Sequence, residues 1–171
     1  MEPYTWVVAH LPNIATGGAV LDLACGRGRH TRLALEQGYR VMAVDINIDN
    51  LADIMDQPNL AVVEADLENG HWPLGNAKFD GIIVTNYLHR PLFEHILAAL
   101  APDGVLIYET FMIGNEAYGR PANPEFLLQE NELMDVCQNL DIIAFEQGLE
   151  QEPQLAVKQK IVAINRTFNR T

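Results

Sequence analysis

Two glycines one residue apart, Gly26 and Gly28, follow an apolar run that stops at an acid, in the stretch Val20-Leu21-Asp22-Leu23-Ala24-Cys25-Gly26-Arg27-Gly28. Glycines at that spacing let a backbone turn sharply and approach a ligand that any Cβ would push away. Asp45 stands 19 residues after Gly26, about where an acid accepts both ribose hydroxyls of a bound nucleoside. A dinucleotide fingerprint would need a third glycine three residues after the second, but position 31 is Thr, and a phosphate loop ending in Gly-Lys-Ser/Thr is absent too. Two further groups could move protons. His89 lies in Asn86-Tyr87-Leu88-His89-Arg90-Pro91, and an imidazole titrates near neutral pH; Glu109 ends a later apolar run and could orient His89 or a substrate amine. Cys25 and Cys137 form no CxxC pattern, so no metal site or disulfide is expected, and both are read as reduced and buried. Cys137 falls in the i, i+3, i+4, i+7 series Leu133, Val136, Cys137, Leu140, which marks core rather than a nucleophile.

The elements that must carry these groups alternate between short apolar runs and helical patterns, the mark of a mostly parallel sheet covered by helices, an α/β fold. The runs Ala19 to Leu23, Arg40 to Asp45, Leu60 to Ala65, Phe79 to Val84 and Gly104 to Thr110 read as five strands. Arg29 to Gln37 reads as a helix that Gly38 can stop. Leu51, Ile54 and Met55 share a helical face before Pro58, and Pro91 opens a helix whose buried side is Leu92, Phe93, Ile96, Leu97 and Leu100. Between Leu67 and Lys78 a crossover helix is missing from the pattern. Asp141 to Gln147 and Leu155 to Arg166 are joined too tightly for a parallel crossover, so they should be antiparallel neighbours appended to the sheet. Strand 1 then borders the crevice beyond the carboxyl ends of the strands, where doubly wound sheets bind ligands.

At 171 residues and 49% apolar composition the chain suits one domain, residues 1 to 171. Eleven Lys and Arg against 23 Asp and Glu give a net charge of -12, which opposes phosphate neutralisation and argues against a bare nucleic-acid partner. The start, MEPYTWVVAH, shows no basic segment before an apolar core, and no apolar stretch long enough to span a bilayer follows; no membrane partner and a cytoplasmic location are expected.

With Asp22 to Gly28 in view, the sequence resembles the class I S-adenosylmethionine-dependent methyltransferases, whose first motif runs apolar, Asp or Glu, then x-Gly/Ala-x-Gly-x-Gly; here Ala24 replaces the first glycine. The terminal antiparallel pair matches the family's sixth and seventh strands, so the resemblance covers nearly the whole chain and implies a seven-stranded, doubly wound sheet. It implies that Asp22 orders the loop and faces the methionine amino group, that Ala24, Gly26 and Gly28 give close backbone contacts, and that Asp45 takes the ribose diol. Ile46 would lie against the adenine, Asp66 and Leu67 would read its edge, and Thr85 with Asn86 would border the methionine end. Asn86 to Leu92, with Tyr108 to Phe111 and the later Gly-Arg-Pro-x-Asn-Pro, looks like a bacterial subgroup, and the first turn is similar more loosely to tellurite and thiopurine methyltransferases.

The function so implied is methyl transfer from S-adenosylmethionine to a small molecule, leaving S-adenosylhomocysteine. Thr85-Asn86-Tyr87-Leu88 stands where methyltransferases acting on nucleobase or glutamine-amide nitrogen carry Asn/Asp-Pro-Pro-aromatic, which shifts the acceptor toward oxygen, sulfur or another small nucleophile. The alternatives are a nicotinamide-dependent oxidoreductase, which Thr31 and the terminal hairpin disfavour, and a non-catalytic cofactor-binding regulator. His89 and Glu109 are the candidate catalytic groups, and Tyr87 and Arg90 are candidate acceptor contacts. Phe111 to Pro124 reads as a loop over the cleft, with Tyr118 an aromatic wall and Arg120 a fork for an oxyanion. Trp6 and His10 fit either a helix over the cofactor or a plain surface helix, and Lys158, Lys160, Arg166 and Arg170 read as a solvated face.

Overall fold

The computed structural model describes residues 1–167. Seven strands form one sheet in the order β3-β2-β1-β4-β5-β7-β6, with β1 Ala19–Leu23, β2 Arg40–Asp45, β3 Leu60–Glu64, β4 Phe79–Thr85, β5 Leu100–Phe111, β6 Asp141–Glu150 and β7 Ala156–Ile164. β1 to β5 are mutually parallel, whereas β7 lies antiparallel between β5 and β6. β1 and β4 are covered on both faces, which is why they are mostly apolar rather than alternating. The chain reverses order between β1 and β4, so the crevice for a ligand opens over their carboxyl ends.

Four short helices cover the sheet: α1 Thr5–His10, α2 Arg29–Glu36, α3 Phe93–Ala98 and α4 Glu132–Val136. One face buries Val20, Ile83, Ile107 and Val162 against Trp6, Val7 and Ala34 of α1 and α2; the other buries Leu21, Ile82, Leu106 and Ile161 against Ile96, Leu133 and Cys137. Cys25 and Cys137 are both buried and free, as expected.

Two expectations change. The face shared by Leu51, Ile54 and Met55 is not an α-helix: a 3-10 turn at Asp49–Leu51 leads into successive turns, and only Leu51 is buried. Asn47 accepts from the backbone of Asp49, so a local bond competes with helix formation at the start of this segment. Pro91 sits in a 3-10 turn, Arg90–Leu92, and the α-helix begins after it. The gap from Leu67 to Lys78 is indeed without a helix, and the terminal hairpin pairs as expected. No helix among the described residues is long and apolar enough to cross a membrane.

Ile83, fully buried in β4 at the centre of the sheet, reports on this core. Ile83→Ala should lower unfolding free energy by about 2–5 kcal/mol in urea denaturation, since its cavity cannot collapse between paired strands.

Candidate functional site

The turn after β1 holds three residues in the left-handed region, Ala24 at φ 54°, Gly26 at 55° and Gly28 at 73°. An L-residue with a Cβ costs about 1–2 kcal/mol there, which explains why the resembling family favours glycine at the position of Ala24. At Gly28 a Cβ would also run into the side chain of Leu51. Three bonds fix the turn. Cys25 N donates to Val44 O at 3.0 Å, Gly26 N donates to Asp45 Oδ2 at 2.8 Å, and Thr31 Oγ1 donates to Asp22 Oδ2 at 2.6 Å. Thr31, which takes the place of a third glycine, thus holds the buried acid of the first motif. Burial pushes the Asp22 carboxyl up to about 7 against the pull of the Thr31 bonds.

Beyond the turn, a cavity of about 420 Å³ is lined by Ala24, Asp45, Ile46, Asp66, Leu67 and Tyr87, among others. It therefore gathers five of the residues assigned to cofactor contact on resemblance. Ile46 leaves 64% of its surface exposed at this wall, an apolar surface open to a flat ring. Asp45 spends one lone pair of each oxygen on backbone, Oδ2 on Gly26 and Oδ1 on Asn47, and keeps others for hydroxyls. Asp66 Oδ1 accepts from Glu68 N at 2.9 Å, so it also shapes its own turn.

Thr85 and Asn86 end β4 beside the turn. Asn86 takes φ 53°, donates N–H to Glu109 O at 2.9 Å, and donates Nδ2–H to the Tyr4 hydroxyl at 2.6 Å. Two more cavities flank it. The smaller, about 230 Å³, runs between Asn86, Tyr87, Thr110, Phe111, Pro121 and Phe126. The larger, about 520 Å³, lies under residues 1–5 and is bounded by Arg29, Glu109, Glu150 and Lys160.

Several assignments sort themselves on this frame. Glu109 is 2% exposed and lines the larger cavity, whereas His89, half-buried before the 3-10 turn, lines none of the three. Arg90 is committed elsewhere: its guanidinium binds both carboxylate oxygens of Glu132 at 2.6 and 3.0 Å and the carbonyls of Glu125 and Leu127. It clamps the base of the 111–128 segment. Tyr87 lines two cavities and donates its hydroxyl to Glu68 at 3.2 Å. Tyr118 and Arg120 are exposed; the segment that carries them is pinned at Asn115, which accepts from Val157 N and donates to Pro121 O.

Lys158 is a correction. It does not lie on a solvated face: it is 3% exposed, with Nζ 3.2 Å from Glu109 Oε1, 3.5 Å from Glu150 and 4.1 Å from the Tyr4 ring centroid. β7 is an interior strand, and residues 1–6 cover this face of it. Lys160 pairs with Glu150 on the same face, Arg166 pairs with Asp141 at the surface, and Arg170 lies outside the described residues. Trp6 belongs to the core under α1, not to the 420 Å³ cavity, while the His10 ring lies tilted against it with centroids 4.5 Å apart.

Sequence reasoning missed two groups, Tyr4 and His30. Tyr4 N–H donates to His30 Nε2 at 3.1 Å, so the neutral ring carries its proton on Nδ1, 3.4 Å from Thr85 Oγ1. Burial, with Arg29 and Lys158 nearby, drives this imidazole down to about 3, so it is a neutral strut between the N-terminal segment, α2 and β4. Its place directly after Gly28-Arg29 was the available signal; nothing near Tyr4 in the sequence marked it.

The sequence of residues 20–104 matches a family model described as a methyltransferase domain. No curated protein matches the chain at a significant level. Among solved structures, TehB from Haemophilus influenzae superposes with a TM-score of 0.77 at 18% identity, over 94% of this chain and 61% of that one. The present chain thus spans about three-fifths of TehB. The 1,6-didemethyltoxoflavin-N1-methyltransferase of Burkholderia thailandensis, solved with its acceptor and S-adenosylhomocysteine, gives 0.70 at 23% identity over 94% and 75%. An S-adenosylmethionine-dependent methyltransferase from Mesorhizobium loti gives 0.70 at 18% over 92% and 95%. By sequence, residues 20–104, which carry β1 to β4 and the start of β5, match a methyltransferase domain, and across the whole sheet the fold is that of the S-adenosylmethionine-dependent methyltransferase structures.

Asp22, which the resemblance assigns to the methionine amino group, is expected to make cofactor binding sensitive to pH. Unfolded, an Asp titrates near 3.8, while burial holds this one near 7, so the folded protein binds the extra proton between those values. The ligand-free protein should lose stability as pH rises through that window. A cofactor ammonium beside the carboxylate favours its charged form, so affinity should rise by up to about tenfold per unit as pH approaches 7 and then level off. Calorimetry of S-adenosylhomocysteine between pH 5.5 and 8 checks this, and Asp22→Asn should flatten the dependence.

Proposed function

We propose that this protein transfers the methyl group of S-adenosylmethionine to a small molecule that enters beside Asn86. The single observation that carries the reading is the convergence of Ala24, Asp45, Ile46, Asp66 and Leu67 on one cavity of about 420 Å³ at the carboxyl edge of the sheet. That donor set suits the cofactor: a charged acceptor for the ribose diol, an apolar flank for the adenine, and left-handed backbone at the turn for the amino-acid end. Asp22 holds the turn and meets the methionine amino group, and Thr85 and Asn86 border the sulfur.

The cofactor supplies a methyl group already activated on a sulfonium. The protein's task is therefore alignment, and holding two reactants in line can supply on the order of 7 to 11 kcal/mol. A base is needed only for an acceptor that arrives protonated. Glu109 is better supported in that role than His89, because its carboxylate lines a cavity adjoining Asn86. Thr85-Asn86-Tyr87-Leu88 in place of the amide-nitrogen motif supports an acceptor outside the nucleobases and glutamine amides: an oxygen, a sulfur or another small-molecule nucleophile.

The 111–124 segment walls the acceptor's entry beside Asn86. Phe111 and Pro121 line the smaller cavity next to Asn86, while the stretch from Tyr118 to Phe126 beyond the Asn115 pin is largely exposed and suited to closing.

Asp45→Ala should weaken S-adenosylhomocysteine binding by about 1.5–3 kcal/mol, roughly 10 to 150-fold, through the lost ribose contact and the freed Gly26 N–H. Calorimetry on the folded variant checks it, and NAD should bind neither protein comparably. A protease should cut free protein between Tyr118 and Phe126 and be slowed by cofactor plus acceptor. Arg120→Ala should raise the acceptor KM at constant cofactor affinity. Resistance of the free loop together with kinetic silence of Arg120→Ala would remove the lid from this scheme.

A further inference from the structure

We propose that the cavity of about 520 Å³ beneath Tyr4 seats the methyl acceptor, and that this acceptor is an amino acid, a small zwitterion methylated on its amine; the proposal rests on the methyltransferase reading above. Its position comes first. Glu109, in its wall, is the register partner of Thr85 and receives the N–H of Asn86, the two residues assigned to the methionine end. Tyr4, also in its wall, takes the Asn86 side-chain bond. The cavity therefore adjoins the place where the methyl group is offered.

Its charges come from separate elements and have opposite signs. Glu109 gives Oε1 to Lys158, while Oε2 has no hydrogen bond to the protein. No buried side-chain oxygen among the described residues lacks a partner, so Oε2 must be accessible, and the group lines the cavity. Arg29 spends a single 3.4 Å bond on Glu2 O and otherwise lies against the Tyr4 ring at 4.4 Å, leaving most of its fork open. Lys160 is bound to Glu150 and keeps further donors. A lone carboxylate would suit an amine, and lone cations would suit an acid. Both together in one cavity suit a molecule carrying both groups.

The buried pair sharpens the argument. An apolar pair would join β5 to β7 without the desolvation cost that Glu109 and Lys158 carry. Lys158, held between Glu109, Glu150 and the rings of Tyr4 and Phe111, fixes the Glu109 carboxylate with its free oxygen toward the cavity. In the transfer, the acceptor nitrogen gives one proton to that oxygen and its lone pair forms the N–CH3 bond. The S–CH3 bond breaks with its electron pair kept on sulfur, and S-adenosylhomocysteine leaves with the N-methyl product.

The test has a binding arm and a turnover arm. Calorimetry of S-adenosylhomocysteine alone comes first, and its failure would strike the methyltransferase reading rather than the cavity. The protein saturated with S-adenosylhomocysteine is then titrated with the standard amino acids, and with propionate, ethylamine, 2-mercaptoethanol and tellurite; the same panel is assayed with S-adenosylmethionine for S-adenosylhomocysteine release. At least one amino acid should bind and turn over with kcat/KM about 30-fold or more above the matched acid or amine. Arg29→Gln and Lys160→Met should raise its KM about tenfold and leave the S-adenosylhomocysteine Kd within about threefold. Glu109→Gln should lower kcat, and if it does not fold, the Arg29 and Lys160 variants still decide. Turnover of thiol or tellurite with every amino acid inert would overturn the proposal. So would an absence of amino-acid binding to the loaded protein. A tenfold weaker S-adenosylhomocysteine Kd in Arg29→Gln would assign the cavity to the cofactor's own methionine instead.

Discussion

The carboxylate of Asp45, at the end of β2, holds the backbone N–H of Gly26 in the turn that follows the neighbouring strand β1. That bond joins the ends of β2 and β1 at the carboxyl edge of the sheet, and it holds open a turn with three left-handed residues that would otherwise have no reason to persist. Asp22 and Thr31 brace the same turn from inside the fold, and Leu51 packs beneath Gly28. The cavity of about 420 Å³ opens beside this loop, with Ala24 and Asp45 in its wall. A chain that kept its strands but lost the Asp45 contact would keep a sheet and lose the shape of the turn beside the 420 Å³ cavity.

Around this neutral scaffold of strands the protein spends desolvation energy in only a few places, and they lie together. Asp22, His30, Glu109 and Lys158 are all nearly or fully buried near the carboxyl ends of β1, β4 and β5. Burial raises Asp22 and Glu109 and lowers His30, so the same low-polarity surroundings disfavour charge on all three. Each has a specific partner: a hydroxyl for Asp22, a backbone N–H for His30, an ammonium for Glu109. Buried ionisable groups with defined partners cost stability that a purely structural edge of a sheet has no need to forgo.

Much of this was legible in the sequence because it is local. The five parallel strands are apolar runs, the tight terminal hairpin forbids a crossover, and the spacing of Asp22, Gly26, Gly28 and Asp45 belongs to a single β-α-β unit. What was not legible depends on distant pairing. Strand alternation told that Lys158 and Lys160 share a face but not that residues 1–6 cover it. Arg90 looked available until Glu132, 42 residues later, came to meet it. The segment around Leu51 had a helical hydrophobic pattern, yet the Asp49 and Asn47 groups beside it turn the chain with their own bonds.

Residues 1–6 complete their contacts late in the order of the chain. Tyr4 faces Lys158, and Trp6 donates to the carbonyl of Ile161, 155 positions further on. A contact that closes so long a stretch of chain pays most of the loop entropy of the whole domain before it is formed. During synthesis, Tyr4 can meet His30 and Arg29 early, but Trp6 cannot reach Ile161, nor Tyr4 reach Lys158, until β7 has left the ribosome. The turn after β1 and its braces to α2 and β2 can form well before that. Assembly is thus ordered in time: the turn after β1 can form on a growing chain, whereas the cavity beneath Tyr4, walled by Lys160, is complete only once β7 has been made.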